Sequence, residues 1–493
     1  MIHLDRRHLL TRASGLVATA FLSAPAKAND TLLSPAAMRS DIAILCDAYA
    51  SLHPGLYRYL TPTKFQRERQ RLNRFAATPH TLGDFYLALS AFTASIRCGH
   101  SFPNPANQTQ AVASALFGKP DRLPFAFAWL DRRMIVTADL GSGHHLPIGS
   151  EVIAIDGVSA RDMLAKMLPY ARTDGSNDAR KVADLGIPGD ADQPTFDVLR
   201  ALLFPSSAPS ARVVVRIAGR AGTIACPLMT AAARSAALRH PSRDSPYGWT
   251  FEVRGQVGIL TMPTWAVFHE KWDWQGFIDA SLDTAVDRQL SGIVIDVRDN
   301  GGGLDCGAAI IARLIEAPLP ADSYSRHVRY RKIPARLAPY LKTWDRSFKD
   351  WGASAIGPDA AGFYTLIRPV DASDTDTIQP RGRRFAGRVA VLVGPKNASA
   401  TFGFAGLMQR QRLGTLVGEQ TGGNRRGING GAFFFVGLPA SGVEVDLPLI
   451  AYWPETPQPD AGIMPDLIVP VRVADLKAER DIALAQAFAI ASG

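Results

Sequence analysis

The 493-residue sequence has only four cysteines, at 46, 98, 226 and 306, and their spacings make no metal-ligand pattern. None of its ten histidines recurs at a ligand spacing either, so no metal and no cofactor are expected. Long apolar runs are missing: the one early candidate, GLVATAFLSAPAKA, is too short to cross a bilayer, which argues against a membrane span. There is no dense basic tract with interleaved aromatics, which argues against a nucleic-acid surface.

That short apolar stretch has another use. It follows DRRHLLT at residues 5–11 and ends in the small-x-small pattern Ala26-Lys27-Ala28, which reads as a bacterial export signal of the twin-arginine type over residues 1–28. Asp5 and Leu9 depart from the commonest form and leave a general secretory route open. Under both routes the protein is exported, to the periplasm or beyond. Removing Arg6, Arg7, Arg12 and Lys27 together with Asp5 takes the formal charge from +9 to +6, mild for this length. An even set of cysteines in an oxidising compartment permits disulfides, and Cys46 with Cys98 is the favoured pair.

Changes of periodicity divide the mature chain. Residues 29–104 hold three helical patterns, the last opened by Thr81 with Asp84 three residues on as a capping signal, and end at Cys98-Gly99-His100-Ser101. Residues 115–232 turn β-rich. From about 248 to 493, buried-type strands such as VGILTM, GIVIDV, VAVLV and GTLVG alternate with helical segments near 272–290, 304–317 and 399–412, the pattern of an α/β fold with a parallel sheet. An insertion at 320–386 interrupts it. Its stretch 324–351, rich in arginine and aromatics, reads as a solvated helical segment, or else as a lid or docking arm.

Two segments of this last region carry chemistry. In GIVIDVRDNGGG (292–303) a buried strand runs into bare glycine amides, and in VAVLVGPKNASATFGFAGLMQR (389–410) another strand leads to Ser399 at a helix start. A serine facing a glycine-rich amide turn has the parts of an acyl-transfer site, the base excepted. Taken alone, Ser399 could cap its helix, His100 could be structural and the glycines could only form a tight turn.

With His100 as base, the ordered motifs resemble the C-terminal processing (tail-specific) and tricorn-core serine peptidase family, in its histidine-base branch. They include His53-Pro54, GHS at 99–101, the D-x-R-x-N-x-G-G turn, the ASA turn, GEQTGG at 418–423 and GIMPD at 462–466. The resemblance implies a ClpP/crotonase-like spiral core, with the N-terminal helical region delivering His100. The glycine, strand, Ile155-Asp156-Gly157 and helix of residues 149–168 resemble the carboxyl half of a PDZ domain, followed by an insertion at 172–209 that an ordinary PDZ domain lacks. Peptides or unfolded protein tails would be the substrates. Ser399 would be nucleophile and His100 general base, with the oxyanion held by the N–H groups of Ala400 and Gly302. Asp296, Arg298 and Asn300 would brace the turn.

The lysine-using branch of that family places its base 25 residues after the serine, which here is Asn424, an amide that cannot serve. Asp460 is the expected acidic helper. A histidine base implies kcat/KM rising through a pKa of ~6 to 7. Two other readings share this fold logic. One is a catalytically silent carrier of peptide or lipid, and the other a crotonase-type acyl-CoA enzyme, which export disfavours. Oligomeric state is not encoded in any of these motifs.

Overall fold

The computed structural model describes residues 32–144, 146–187, 194–238, 245–268, 272–321, 324–368 and 377–493. The export signal expected at 1–28 lies outside them. Three helices open the described chain, Pro35–Leu52, Pro62–Phe75 and Leu82–Ser95, each started by a hydroxyl cap from Ser34, Thr61 or Thr81. The Thr81/Asp84 capping box is present in full.

The helices do not stand alone. Their apolar faces share one core with a six-stranded antiparallel sheet in which Ile428–Gly437 and Glu444–Pro454 are joined by Tyr324–Val328, Leu341–Lys342, Ala355–Ile356 and Tyr364–Leu366. Stretch 324–351 is therefore neither a helical decoration nor a free arm. Besides two strands it holds only 3-10 turns, the first one flanked and interrupted by Pro334 and Pro339, and Tyr330, Leu337, Phe348 and Trp351 are buried in that core. What reads as a solvated face is half true: Arg336 leaves the core and forks onto Asp47 of the first helix, at 2.7 and 2.8 Å.

Between residues 125 and 227 a second six-stranded sheet, wholly antiparallel, is covered by helices Ala160–Met167 and Thr195–Leu203. The insertion at 172–209 supplies the second of these helices and the short helix Asp178–Asp184.

The third sheet positions the site. Its order is Leu467–Ile468, Thr415–Gly418, Arg388–Val393, Gly292–Asp296, Val257–Thr261 and Thr250–Arg254, parallel except for the last pair. Helices Trp274–Asp287, Cys306–Ile311 and Ser399–Arg410 cover one face and Ile482–Ser492 the other. Burial on both faces explains the unbroken apolar runs of these strands. Gly292–Asp296 and Arg388–Val393 are adjacent and in register, so the two turns at their carboxyl ends meet.

All four cysteines are buried and free, so the expected Cys46–Cys98 bridge is absent. Cys46 is packed within the first helix, and Cys98 Sγ instead accepts a hydrogen bond from Asn429 Nδ2 at 3.5 Å. Among the described residues no helix is long and apolar enough to cross a membrane, and no group of three acidic, histidine or cysteine side chains could hold a metal.

Candidate active site

The serine turn is built by one buried asparagine. Asn397 Oδ1 accepts the Gly394 N–H at 2.8 Å, while its Nδ2 donates to the carbonyls of Val297 and Asn300 on the neighbouring turn. The chain then passes from extended Ala398 straight into the helix Ser399–Arg410, and Ser399 takes φ +54°. A serine in the left-handed region is strained, and such strain persists where the surroundings enforce it. A strand-to-helix turn of this kind lifts the hydroxyl off the sheet. No side chain caps the helix, which leaves its first-turn amides, Ala400 N–H among them, for a ligand.

The glycine turn faces it. A Cβ on Gly302 would stand 2.8 Å from Ser399 Cβ and 3.2 Å from Ala400 N, so only glycine allows the two turns to close. Asn300, wholly buried, fastens them: Nδ2 donates to Met262 O, and Oδ1 accepts from Thr401 Oγ1 at 2.8 Å and from Gly302 N–H at 2.9 Å. The amide expected to hold an oxyanion is thus engaged by Asn300 in this state. Arg298 forks onto Asp296 and reaches Asp481 at 2.8 Å, bracing the base of the turn. Lys396, the nearest lysine in sequence, is ion-paired to Asp299 at 2.8 Å.

His100 arrives from the other side. The buried His53 accepts the Gly55 N–H at Nδ1 and bonds Ser101 Oγ through Nε2 at 3.0 Å, which fixes the chain just after His100. The insertion at 172–209 fixes it just before. Asp174 Oδ1 accepts the Gly99 N–H at 2.7 Å, and Arg172 donates to Gly99 O at 3.2 Å. The imidazole is half-buried, 5.7 Å from the Phe433 ring and against Gly430, and its Nδ1 is buried with no hydrogen-bond partner. Burial pushes its pKa down to about 4; Asp174 and the Asn429 carbonyl pull upward, Arg180 and Arg172 downward.

No hydrogen bond joins His100 to Ser399 among the described residues. The link between them is the segment after GEQTGG. Gly422 and Gly423 donate to Asn397 O at 2.8 and 2.9 Å, and seven residues beyond Gly423 the chain lays Gly430 on the imidazole. GIMPD secures the near end of this bridge, since Ile463 N–H donates to Thr421 Oγ1 at 2.8 Å.

Asp460 is elsewhere than expected. Its Oδ1 accepts from Ser176 N–H at 2.9 Å and from Asn424 Nδ2 at 2.6 Å, and no contact with His100 or Ser399 is formed among the described residues. The carboxylate that bears on His100 is Asp174, held on its other oxygen by Arg180 at 2.9 Å. The sequence gives Asp174 no signature beyond a polar, glycine-rich interval. Asn424 is fully buried and spans Asp174 O and Asp460, a brace where the lysine branch has its base.

The fold and the two facing turns define a mixed α/β protein with a serine poised at the carboxyl end of a parallel sheet. Residues 256–469 match the model of peptidase family S41. Over those residues the chain is similar to that family, and it is a serine-type peptidase. Among solved structures it is similar to mature CPAF complexed with lactacystin, at 13% identity and TM-score 0.61, covering 93% of this chain and 98% of that one. Mature CPAF gives 15% identity and TM-score 0.60, over 90% and 94% of the two chains. At such identities the likeness is one of fold. No curated protein sequence matches the chain.

Proposed function

We propose that the protein is an exported peptidase that hydrolyses peptides or unfolded protein tails through Ser399, with His100 as general base. The observation that carries this reading is the strained Ser399, at φ +54° on an uncapped helix and against Gly302. A silent carrier of peptide or lipid has no use for a hydroxyl held at that cost.

In this reading Ser399 Oγ attacks the scissile carbonyl as its proton passes to His100, which is neutral at physiological pH because burial disfavours its charge. Asp174 and the Asn429 carbonyl favour the imidazolium that forms. The Ala400 N–H takes the oxyanion, and the Gly302 N–H joins it by exchanging Asn300 Oδ1 for the substrate oxygen. Each such donor contributes ~3 to 4 kcal/mol in the transition state. His100 then protonates the leaving amine, and water attacks the acyl-enzyme by the same route in reverse. Asp460 acts at one remove, holding Ser176 and Asn424 about the Asp174 loop.

The same reading assigns the region from 248 to 493 a ClpP/crotonase-like spiral topology, with residues 115–232 a PDZ-like domain. Support for the latter is the strand Glu151–Ile155, the turn at Asp156-Gly157 and the helix Ala160–Met167. Residues 29–104 then act as the histidine-bearing region, and the mature protein works in the periplasm or outside the cell.

The test is hydrolysis of a quenched-fluorescent peptide mixture by the mature chain. Wild type should cleave it and Ser399→Ala should not. Equal turnover by the two proteins would overturn the assignment.

A further inference from the structure

Beside the bridge that carries Gly430 to His100 lies a cleft of about 460 Å³ whose walls include Arg58, Arg426, Trp453, Gln458 and Asp460. Arg58 is its unusual member. The guanidinium is half-buried, 5.7 Å above the Trp453 ring and 6.0 Å from that of Tyr59. Among the described residues it forms no ion pair and makes one long hydrogen bond, to Gly427 O at 3.4 Å, although a guanidinium has five N–H donors to place. Burial pushes its pKa down; the Asp460 carboxylate bears on it only from a distance, with no ion pair, and the like charge of Arg426 opposes it. A partly desolvated cation with no carboxylate in contact is costly unless a ligand supplies one.

The other charges here are occupied or outside. Asp460 holds Ser176 N–H and Asn424 and lies 3.9 Å from Arg426. Arg425 donates to Gln458 at 2.9 Å, and Glu455 is exposed at the rim. Trp453 adds a buried indole N–H with no partner.

We propose that this cleft is a specificity subsite in which Arg58, stacked on Trp453, receives the side-chain carboxylate of an acidic residue of the substrate. The inference rests on the peptidase reading above. A planar fork suits a carboxylate in two-point contact, and the ring behind it keeps the fork oriented. The subsite's place along the substrate follows from the strand. Gly427, which Arg58 grips, is three residues from Gly430 on the imidazole. That is roughly 10 Å at the rise of an extended chain, or about three substrate residues from the cleaved bond.

The test uses fluorogenic peptides acetylated and amidated at their ends, so that no chain terminus offers a carboxylate, with a single Glu or Gln walked through every position. At one position about three residues from the cleaved bond, Glu should exceed Gln in kcat/KM by ~10- to 100-fold, the size of a charge-assisted bond. The ratio should fall towards one in Arg58→Met, and Arg58→Glu should prefer Lys there. An unchanged ratio in Arg58→Met, or an acid preference seen only with free carboxyl termini, overturns the subsite. If neither variant folds, the wild-type walk decides alone, since no position favouring Glu refutes it. A wild type that hydrolyses no peptide removes the peptidase reading and this inference together, whereas cleavage without acid preference removes only the inference.

Discussion

At the scale of single residues, the two candidate catalytic side chains sit in environments that differ in kind. Ser399 is set by backbone strain and His100 by burial. Ser399→Ala and His100→Ala should each lower kcat by about three to six orders of magnitude, and the double variant should be little worse, because the two act as one unit. Steady-state kinetics on one peptide decides it, and independent, multiplying losses would contradict it. The pH profile should differ from that of a solvated imidazole. With the pKa held down to about 4, His100 is neutral above that value, so kcat/KM should rise through about pH 4 and stay flat from there to neutrality. A limb at ~6 to 7, the ordinary histidine range, would mean that substrate or motion relieves the burial. Lys396→Met should keep most activity, since that amine is tied to Asp299.

At the scale of elements, the parallel sheet and its two turns were legible, because strands buried on both faces leave unbroken apolar runs and glycines mark the close approach. The three N-terminal helices were legible too, from apolar periodicity and from the Thr81/Asp84 cap. What the sequence hid was who packs against whom. Tyr330 and Trp351 look like substrate contacts in a cationic stretch, yet they are core, because the strands that bury them come from residues 428–454, far along the chain. Deleting 324–351 should therefore unfold the protein, where a free arm would be dispensable. Trp351→Ala is the milder test, expected to cost ~3 to 5 kcal/mol as a buried aromatic truncation. A Tm within a degree of wild type would show that the aromatic is peripheral. Asp174 was hidden for a related reason: it reaches the Gly99 N–H from a loop of another region, and no local pattern encodes that meeting.

At the scale of the whole molecule, His100 and His53 couple stability to acid. Burial holds His53 at about 3 and His100 at about 4, both below the unfolded value of ~6.5. The unfolded chain therefore takes up protons first as pH falls. Stability should be full above about pH 6.5 and decline towards pH 4, with no loss from these groups on the alkaline side. Tm measured from pH 8 to 4 checks this, and a flat profile across that window would contradict it. The proposed export belongs to this scale as well. Replacing Arg6-Arg7 by Lys-Lys should leave unprocessed protein in the cytoplasm if the twin-arginine route is used, and cell fractionation reads the result.

The central claim, a serine at 399 activated by a histidine at 100, is tested most directly by a fluorophosphonate probe read by peptide mass spectrometry in wild type and in His100→Ala. One adduct is expected, on Ser399, forming at least ~100-fold more slowly in the variant, as loss of a general base requires. An adduct on another residue, or equal rates in the two proteins, would contradict it.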